Sequence, residues 1–330
     1  MPVRAGLEQL LARLGTHPVL VDVGSSGTAP RIWQPIAPHS IYVGFDPDQR
    51  DLTETAAGAF HKSVIVNKAI THHVDADKVR FFFTKQPHCS STLQPDHKSL
   101  SDFLFADRFA VEREGTVPAG TINTILDSLG LHRIDWLKID TQGTDLRIWR
   151  SLNQKLREGL LALDIEPGLV DAYKGEDLFV DAHRELTGNG FWLSNLNVRG
   201  AVRIRRESLE EAGQKERSLT VNFLEIAAKK SPAWCEARYL RNISSMTESN
   251  ASKCDWALLW LIAMLDGQAG FALDVARDSE KRFGKDDVSE FMKDQSIAGL
   301  RRWSAPTLIA WARSFAPAPL KKWIKSIMGR

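Results

Sequence analysis

The sequence predicts an α/β protein built on a largely parallel β-sheet, followed by a helical C-terminal extension. Short aliphatic and β-branched runs alternate along residues 1–230 with segments of helical periodicity, which is typical of a parallel sheet covered by helices. Several of these runs end in an acid or a glycine turn, at the strand ends where such sheets bind ligands. After Ser231-Pro232 the pattern becomes helical and rich in tryptophan, so we place a domain boundary near residue 230.

The composition is that of an ordinary globular protein, because 43% of the 330 residues are hydrophobic and 25% are charged. The 43 basic and 41 acidic residues give a formal charge of +2, which does not favour a nucleic-acid partner. Three cysteines without CxxC spacing predict neither a disulfide framework nor a zinc site, and they favour a reducing, cytoplasmic location. The longest apolar run, residues 256–265, is far shorter than the roughly twenty residues that cross a bilayer. No oligomeric state is predicted.

The first strands lead to a glycine turn and an acid. Residues 1–15 predict an amphipathic covering helix, and the stretch 19–27, a run of Val and Leu that ends in a glycine turn, predicts a buried strand. This strand ends at Gly24 and Gly27, where the backbone can approach a ligand, although the glycines are also consistent with a tight turn alone. The next strand, 40–45, ends at Asp46, at the roughly twenty-residue offset of an acid that binds ribose hydroxyls. These features predict a nucleoside cofactor site.

A polar loop is predicted at the mouth of the site. Residues 85–99 are too polar to be buried, and they follow a predicted strand at 79–84. Ser90 and Ser91 are candidates for contact with substrate or cofactor, and the alternative is that this serine-rich loop is merely solvated. The histidines and the cysteine of the loop match no ligand spacing, so no metal site is predicted.

The middle of the chain predicts alternating strands and helices, with acids at the strand ends. Because the carboxyl ends of parallel strands share one edge, Asp140 and Glu166 are expected to lie near Asp22 and Asp46. Two late segments, 202–206 and 219–228, are expected to pair as a β-hairpin. The other predicted elements are helix 49–60, strand 63–69, helix 121–129, strand 134–140, helix 144–152, strand 160–165, helix 177–188 and strand 190–196.

Four motifs between about residue 19 and residue 196 resemble those of the FkbM-type methyltransferases, a branch of the class I S-adenosylmethionine-dependent enzymes. They are VDVGSSG at 21–27, VGFDPD at 43–48, TINTILDSL at 121–129 and DWLKIDTQGTDLRIW at 135–149. The last motif is the most specific. The resemblance implies a Rossmann-like, seven-stranded class I methyltransferase sheet. It also implies transfer of a methyl group from S-adenosylmethionine, usually to a hydroxyl of a sugar or natural product.

The resemblance also implies which residues form the site. The residues implied to line the methionine and ribose parts of the cofactor are Asp22, Gly24, Ser25 and Gly27. By the same resemblance, Asp46 would hold the ribose hydroxyls, and Asp140 would lie where cofactor and acceptor meet. The family commonly has Glu two residues after that acid, where this chain has neutral Gln142. The change argues against a metal or a general base at position 142, so a divalent metal is not supported.

Methyl transfer to a hydroxyl requires two positioned molecules and a group that accepts the hydroxyl proton. Asp140 is the candidate base or orienting group, Glu166 is the alternative base, and the competing interpretation of Asp140 is a helix N-cap. Lys138 lies on the same strand face as Asp140, where its ammonium would lower the pKa of the acid. Tyr173 is a candidate for stacking on a sugar ring.

The C-terminal residues 301–330 are basic and aromatic, and they contain no acid. Such a segment can lie on an anionic membrane surface, which would place the protein peripherally at the inner face of the membrane. The alternative is that its aromatic face packs on the body of the protein or on another subunit.

Two rival functions remain open. One is a degenerate, non-catalytic docking protein, which Gln142 supports. The other is an NAD-dependent oxidoreductase, although Gly24 and Gly27 supply only part of its GxGxxG turn.

Overall fold

The computed structural model describes residues 10–25, 29–48 and 59–301, together with positions 6 and 317. Residues 10–14 are helical, in agreement with the predicted N-terminal helix. Gly27, most of the helix predicted at 49–60 and nearly all of the basic segment 301–330 lie outside the described residues. The expectations placed on them therefore stay predictions.

The strands of the described residues form two sheets. Numbered along the chain, they are β1 (Val19–Val23), β2 (Ile41–Phe45), β3 (Lys62–Val66), β4 (Ala69–Ile70), β5 (Lys78–Thr84), β6 (Val111–Gly120), β7 (Trp136–Ile139), β8 (Ala162–Ile165), β9 (Phe191–Ala201) and β10 (Ser231–Arg241). The seven-stranded central sheet has the spatial order β3, β2, β1, β7, β8, β10, β9, and the three-stranded sheet has the order β4, β6, β5.

The central sheet is parallel except at one side. Strand β1 pairs in parallel with β2 and β7, and the parallel pairing continues outward to β3 and to β8. Strand β10 lies between β8 and β9 and is antiparallel to both. The predicted α/β class with a largely parallel sheet is confirmed.

Helices follow most of the central strands and then form a C-terminal group. After the N-terminal helical residues 10–14, the α-helices of the described residues, numbered along the chain, are α1 (His97–Leu100), α2 (Ile122–Ser128), α3 (Asp145–Ser151), α4 (Gln154–Gly159), α5 (Phe179–Gly188), α6 (Arg206–Lys215), α7 (Val221–Ala227), α8 (Ile243–Glu248), α9 (Lys253–Leu265), α10 (Ala269–Phe283) and α11 (Asp287–Leu300).

Two apolar cores cover the two faces of the central sheet. Along β1, the three valines enter one core and Leu20 enters the other, as the two-residue period of a strand requires. Helix α9 contains the longest apolar run of the sequence, and its residues 256–263 are all buried. A helix that is apolar on all sides is typical of a protein interior. Among the described helices, none combines the length and the apolar character that a membrane-spanning helix needs.

Two predictions for the later part of the chain are wrong. The segments expected to form a β-hairpin, 202–206 and 219–228, instead lead into α6 and form α7. Helix α7 begins because the Thr220 hydroxyl accepts a hydrogen bond from the backbone N of Phe223 (3.2 Å). Residues 237–241, expected to be helical, belong to β10, which buries Cys235, Ala237 and Tyr239 on one face at period two. The central sheet therefore extends past residue 230.

Candidate active site

A cleft lies at the carboxyl ends of β1, β2 and β7, where the strand order of the central sheet reverses. From β1 the chain proceeds to β2 and β3 on one side and later to β7 and β8 on the other, and such a switch point leaves a crevice for a ligand. Gly24, Asp46 and Asp140 line this cavity, which we call the strand-end cleft. Three of the predicted site residues, from three different strands, therefore meet there.

Gly24 closes β1 in a conformation that only glycine adopts easily. Its φ is +83°, and its backbone N donates to the carbonyl oxygen of Phe45 (2.8 Å). A Cβ atom at this position would lie 2.0 Å from the carbonyl oxygen of Asp140. The absence of a side chain therefore lets β1 and the segment after β7 approach each other at the floor of the cleft. Ser25 follows as a buried residue, with its hydroxyl packed toward Gly44.

Asp46 is a partly buried acid at the end of β2. The backbone N of Asp48 donates to its Oδ1 (2.7 Å), which fixes the carboxyl group in an Asx-type turn. Burial raises the pKa of Asp46 to about 7, although this hydrogen bond opposes the rise. The acid thus changes between its neutral and ionised forms near neutral pH.

Asp22 is buried beside the cleft, and both of its carboxylate oxygens have partners in the protein. Tyr42 donates its hydroxyl to one oxygen (3.0 Å), and Nζ of Lys138 donates to the other (3.1 Å). Lys138 also lies 3.7 Å from Oδ2 of Asp140. Burial alone would lower the pKa of Lys138, but the two neighbouring carboxylates raise it, so the ammonium stays charged. Asp22 and Lys138 therefore form an ion pair beside the cleft, and Lys138 extends it to Asp140.

Asp140 is the centre of a hydrogen-bonded group. Nε2 of Gln142 donates to its Oδ1 (2.7 Å), and Glu166 is hydrogen-bonded to it as well. Burial, reinforced by the charge of Asp140, raises the pKa of Glu166 to about 9, so Glu166 keeps its proton at neutral pH. The interpretation of Asp140 as a helix cap is wrong, because α3 begins at Asp145 with Thr144 at its N-cap.

Gln142 holds a strained conformation that links several parts of the site. Its φ is +57°, a left-handed value that is uncommon for a residue other than glycine and concentrates at functional sites. Its Oε1 lies 3.1 Å from the hydroxyl of Tyr173, which also donates to the carbonyl oxygen of Cys89 (2.8 Å). The hydroxyl of Ser91 donates to the backbone carbonyl of Gln142 (2.7 Å). One amide thus joins Asp140 to the tyrosine.

A second cavity, which we call the aromatic pocket, adjoins the strand-end cleft. Its wall includes Phe105, Phe109, Tyr173, Trp234, Glu166 and Glu176. His88, Asp140 and Gln142 line both cavities. The aromatic pocket and the strand-end cleft therefore meet at the acid that the sequence predicts to be catalytic.

The remaining predicted residues occupy different places. Ser90 lines the strand-end cleft, and its hydroxyl accepts from the backbone N of Thr84 (3.1 Å). Ser91 is 1% exposed and supports the loop of Gln142 instead of facing a cavity. Tyr173 lines the aromatic pocket but is only 2% exposed, and its ring contacts that of Phe109 edge-on (5.6 Å between centroids). The hydroxyl group of Tyr173, and not the face of its ring, is directed at Gln142 in the site.

Several residues of the site, among them His88, Trp234 and Glu176, were not predicted from the sequence. His88 belongs to the loop expected at the mouth, which does line the strand-end cleft, although the expectation that it is not buried is wrong for Ser90 and Ser91. Nothing in the sequence of the loop distinguishes His88 from its neighbours. Trp234 lies on β10, a strand that the sequence pattern did not reveal. Glu176 lies in the segment YKGEDLF, ten residues after Glu166, and its role depends on loop packing. Among the described residues, no group of three His, Cys, Asp or Glu side chains is arranged to hold a metal ion.

Comparisons with known proteins do not assign the chain to a family. No protein-family model, curated protein or solved structure matches it. The sheet order, the strand-end cleft and the aromatic pocket are therefore the observations from which a function is inferred.

Proposed function

We propose that this protein is an S-adenosylmethionine-dependent O-methyltransferase whose acceptor is a hydroxyl group of a sugar. The observation that carries the proposal is the meeting of two cavities at Asp140 and Gln142. Transfer between two bound molecules requires that each has its own site and that their reacting atoms meet at one boundary. The strand-end cleft would hold the cofactor, and the aromatic pocket would hold the acceptor.

The strand-end cleft suits the nucleoside part of the cofactor. Gly24 leaves the floor without a side chain, and Asp46 stands at the end of the second strand, where an acid accepts hydrogen bonds from ribose hydroxyls. Both residues belong to the motifs that resemble those of the methyltransferases. The fit of these two residues supports a nucleoside ligand.

The order of the sheet favours S-adenosylmethionine over NAD. The dinucleotide-binding sheet has the order 3-2-1-4-5-6. Here the five strands from β3 to β8 follow that order, but the antiparallel β10 is inserted before β9. A seven-stranded sheet agrees with the number that the methyltransferase resemblance implies. The incomplete GxGxxG turn also favours S-adenosylmethionine over NAD, because NAD-binding sheets carry the full motif.

The site residues have distinct roles in the proposed reaction. The bound cofactor would supply an electrophilic methyl group on a sulfonium. Asp140 would orient the acceptor hydroxyl and accept its proton as the carbon–oxygen bond forms. Gln142 donates to Oδ1 of Asp140, so it holds the carboxylate in place, and the protonated Glu166 adds a second donor. Nζ of Lys138 lies 3.7 Å from Oδ2 of Asp140, so its ammonium would help to hold the carboxylate in position for the acceptor hydroxyl.

The aromatic pocket suits a sugar ring. Aromatic side chains present apolar faces and edges to the C–H surface of a ring, while polar groups at the rim bind its hydroxyls. Phe105 and Trp234 are stacked with their planes 14° apart, and the acids Glu166 and Glu176 line the same cavity. This mixture of aromatic and carboxyl groups supports a hydroxyl-bearing ring as acceptor.

Calorimetric titration with S-adenosylmethionine, S-adenosylhomocysteine and NAD tests the proposal. We expect micromolar binding of the first two ligands to the wild type and a loss of about tenfold or more in Asp46→Asn, because one acceptor of the ribose hydroxyls becomes a donor. The exposed Asp75→Asn is the matched control and should bind normally. Absence of binding by the wild type would exclude the proposal, and binding of NAD alone would favour an oxidoreductase. Transfer of labelled methyl groups to a panel of sugars follows.

A further inference from the structure

Glu176 presents one bound and one unbound oxygen in the aromatic pocket. Its Oε2 accepts hydrogen bonds from the backbone N of Ala172 (2.7 Å) and of Tyr173 (3.0 Å). Its Oε1 has no hydrogen-bond partner among the residues that the structure describes, and the side chain lines the pocket. The carboxyl group is therefore held in place by the chain while one acceptor remains available to a ligand.

Two glycines make room for this carboxyl group. A Cβ atom on Gly168 would lie 2.3 Å from Oε1 of Glu176, and one on Gly143 would lie 3.2 Å from its Cγ. Gly143 directly follows Gln142, so Glu176 packs against the same loop that holds Asp140. The chain thus keeps space for a partly buried acid beside the proposed reaction centre.

An oxygen that faces the pocket without a donor from the described part of the chain can accept a hydrogen bond from a ligand hydroxyl in place of water. Burial raises the pKa of Glu176 to about 7, although its two backbone hydrogen bonds oppose the rise. Above that pH the unbound oxygen is a charged acceptor, which forms stronger hydrogen bonds than a neutral one.

We propose that Glu176 binds a second hydroxyl group of the acceptor, so that the aromatic pocket selects a ring with at least two hydroxyls over one with a single hydroxyl. This inference rests on the proposed function, in which the first hydroxyl is presented to Asp140. The selection arises because a ligand without the second hydroxyl forms no hydrogen bond with this oxygen. Glu176 thereby determines acceptor specificity.

Glu176→Gln separates this role from a structural one. The amide oxygen of glutamine can accept the same two backbone hydrogen bonds, which leaves its NH₂ group where Oε1 now points. The turn is preserved while the group facing the ligand changes from acceptor to donor. Glu112→Gln, on an exposed strand position, controls for the loss of an acid.

Ligand-observed NMR on the full chain, with and without S-adenosylhomocysteine, measures binding of cyclohexanol, of the two 1,2-cyclohexanediols and of methyl pyranosides. We expect the wild type to bind at least one diol or pyranoside about fivefold or more tightly than cyclohexanol. The preference should disappear in Glu176→Gln and persist in Glu112→Gln, with melting temperatures similar to the wild type in both variants. A wild type without this preference, or a Glu176→Gln variant that keeps it, overturns the inference.

A pH series on the wild type keeps the test decisive if the variants do not fold. Without S-adenosylhomocysteine, the preference for the diol should fall between pH 8 and pH 6 as Glu176 takes up a proton. A preference that does not change with pH contradicts the proposed role. Failure of the proposed function gives a different result, because the wild type would then not bind S-adenosylhomocysteine but would still select the diol.

Discussion

Binding of a nucleoside cofactor should depend on pH through Asp46. The acid is partly buried at the end of β2, and burial raises its pKa to about 7. Only the ionised form can accept two ribose hydroxyls, because the protonated form gives up one acceptor site to its own hydrogen. A fall in pH through 7 should therefore weaken binding, and a rise above 7 should strengthen it until the acid is fully ionised.

The size of the effect follows from the ionised fraction. With a pKa of about 7, Asp46 is about 90% ionised at pH 8 and about 10% ionised at pH 6. The apparent affinity is reduced by the fraction of protein that is competent to bind. The dissociation constant should therefore rise about tenfold between pH 8 and pH 6, which corresponds to about 1.4 kcal/mol.

Titration calorimetry with S-adenosylhomocysteine at pH 6, 7 and 8 measures this change. Asp46→Asn is the matched control, because it keeps an oxygen for the backbone N of Asp48 and cannot ionise. Any titration of the ligand or of another side chain appears equally in the variant, so the difference between the two proteins isolates Asp46. Equal affinity of the wild type at pH 6 and pH 8, or the same pH dependence in both proteins, would refute the reasoning.

Two further substitutions, each with a control variant, test the glycine turn after β1 and the ion pairs of β10. Gly24→Ala should abolish cofactor binding and lower the melting temperature, since its Cβ would clash with the carbonyl oxygen of Asp140. Its control is Gly130→Ala, where φ is +69° and the surrounding space is open. This control should lower the free energy of unfolding, measured in urea, by only about 1–2 kcal/mol because of backbone strain. Arg238→Ala should lower the unfolding free energy by about 3–5 kcal/mol, because it removes the partner of Asp266, whose side chain is 3% exposed, and of the partly buried Asp164. Arg199→Ala, which removes an exposed ion pair, should cost under about 1 kcal/mol, and equal losses in the two arginine variants would contradict this account.

The position of Gln142 bears on whether the site is degenerate. An acid at this position would place a second carboxylate beside Asp140, where the two would repel each other or share a proton. The amide instead donates to Asp140 and lies within hydrogen-bond distance of Tyr173. The geometry thus gives glutamine a positioning role and supports the catalytic proposal over a docking protein that has lost its activity.

Local pattern was enough to predict most of the sheet and the acids at its strand ends. Buried strands such as β1 and β7 show as short aliphatic runs, and the acids that follow them must lie at one edge because parallel strands share a direction. Asp46 and Asp140 were placed correctly on that basis. The strand β10 was missed because Ser231-Pro232 predicts a boundary, whereas the structure places Pro232 inside the strand, beside a register shift in its pairing with β9.

Tertiary packing decided which predicted residues reach the cavities. The sequence placed Asp22 and Ser91 in the site, yet their polar atoms bind Lys138 and the backbone of Gln142. Glu176 carries no local signal, because its position depends on a loop that folds back against two glycines. Chain neighbours determine the period of a strand or a helix, whereas the direction of a polar side chain depends on donors and acceptors that come from distant parts of the sequence.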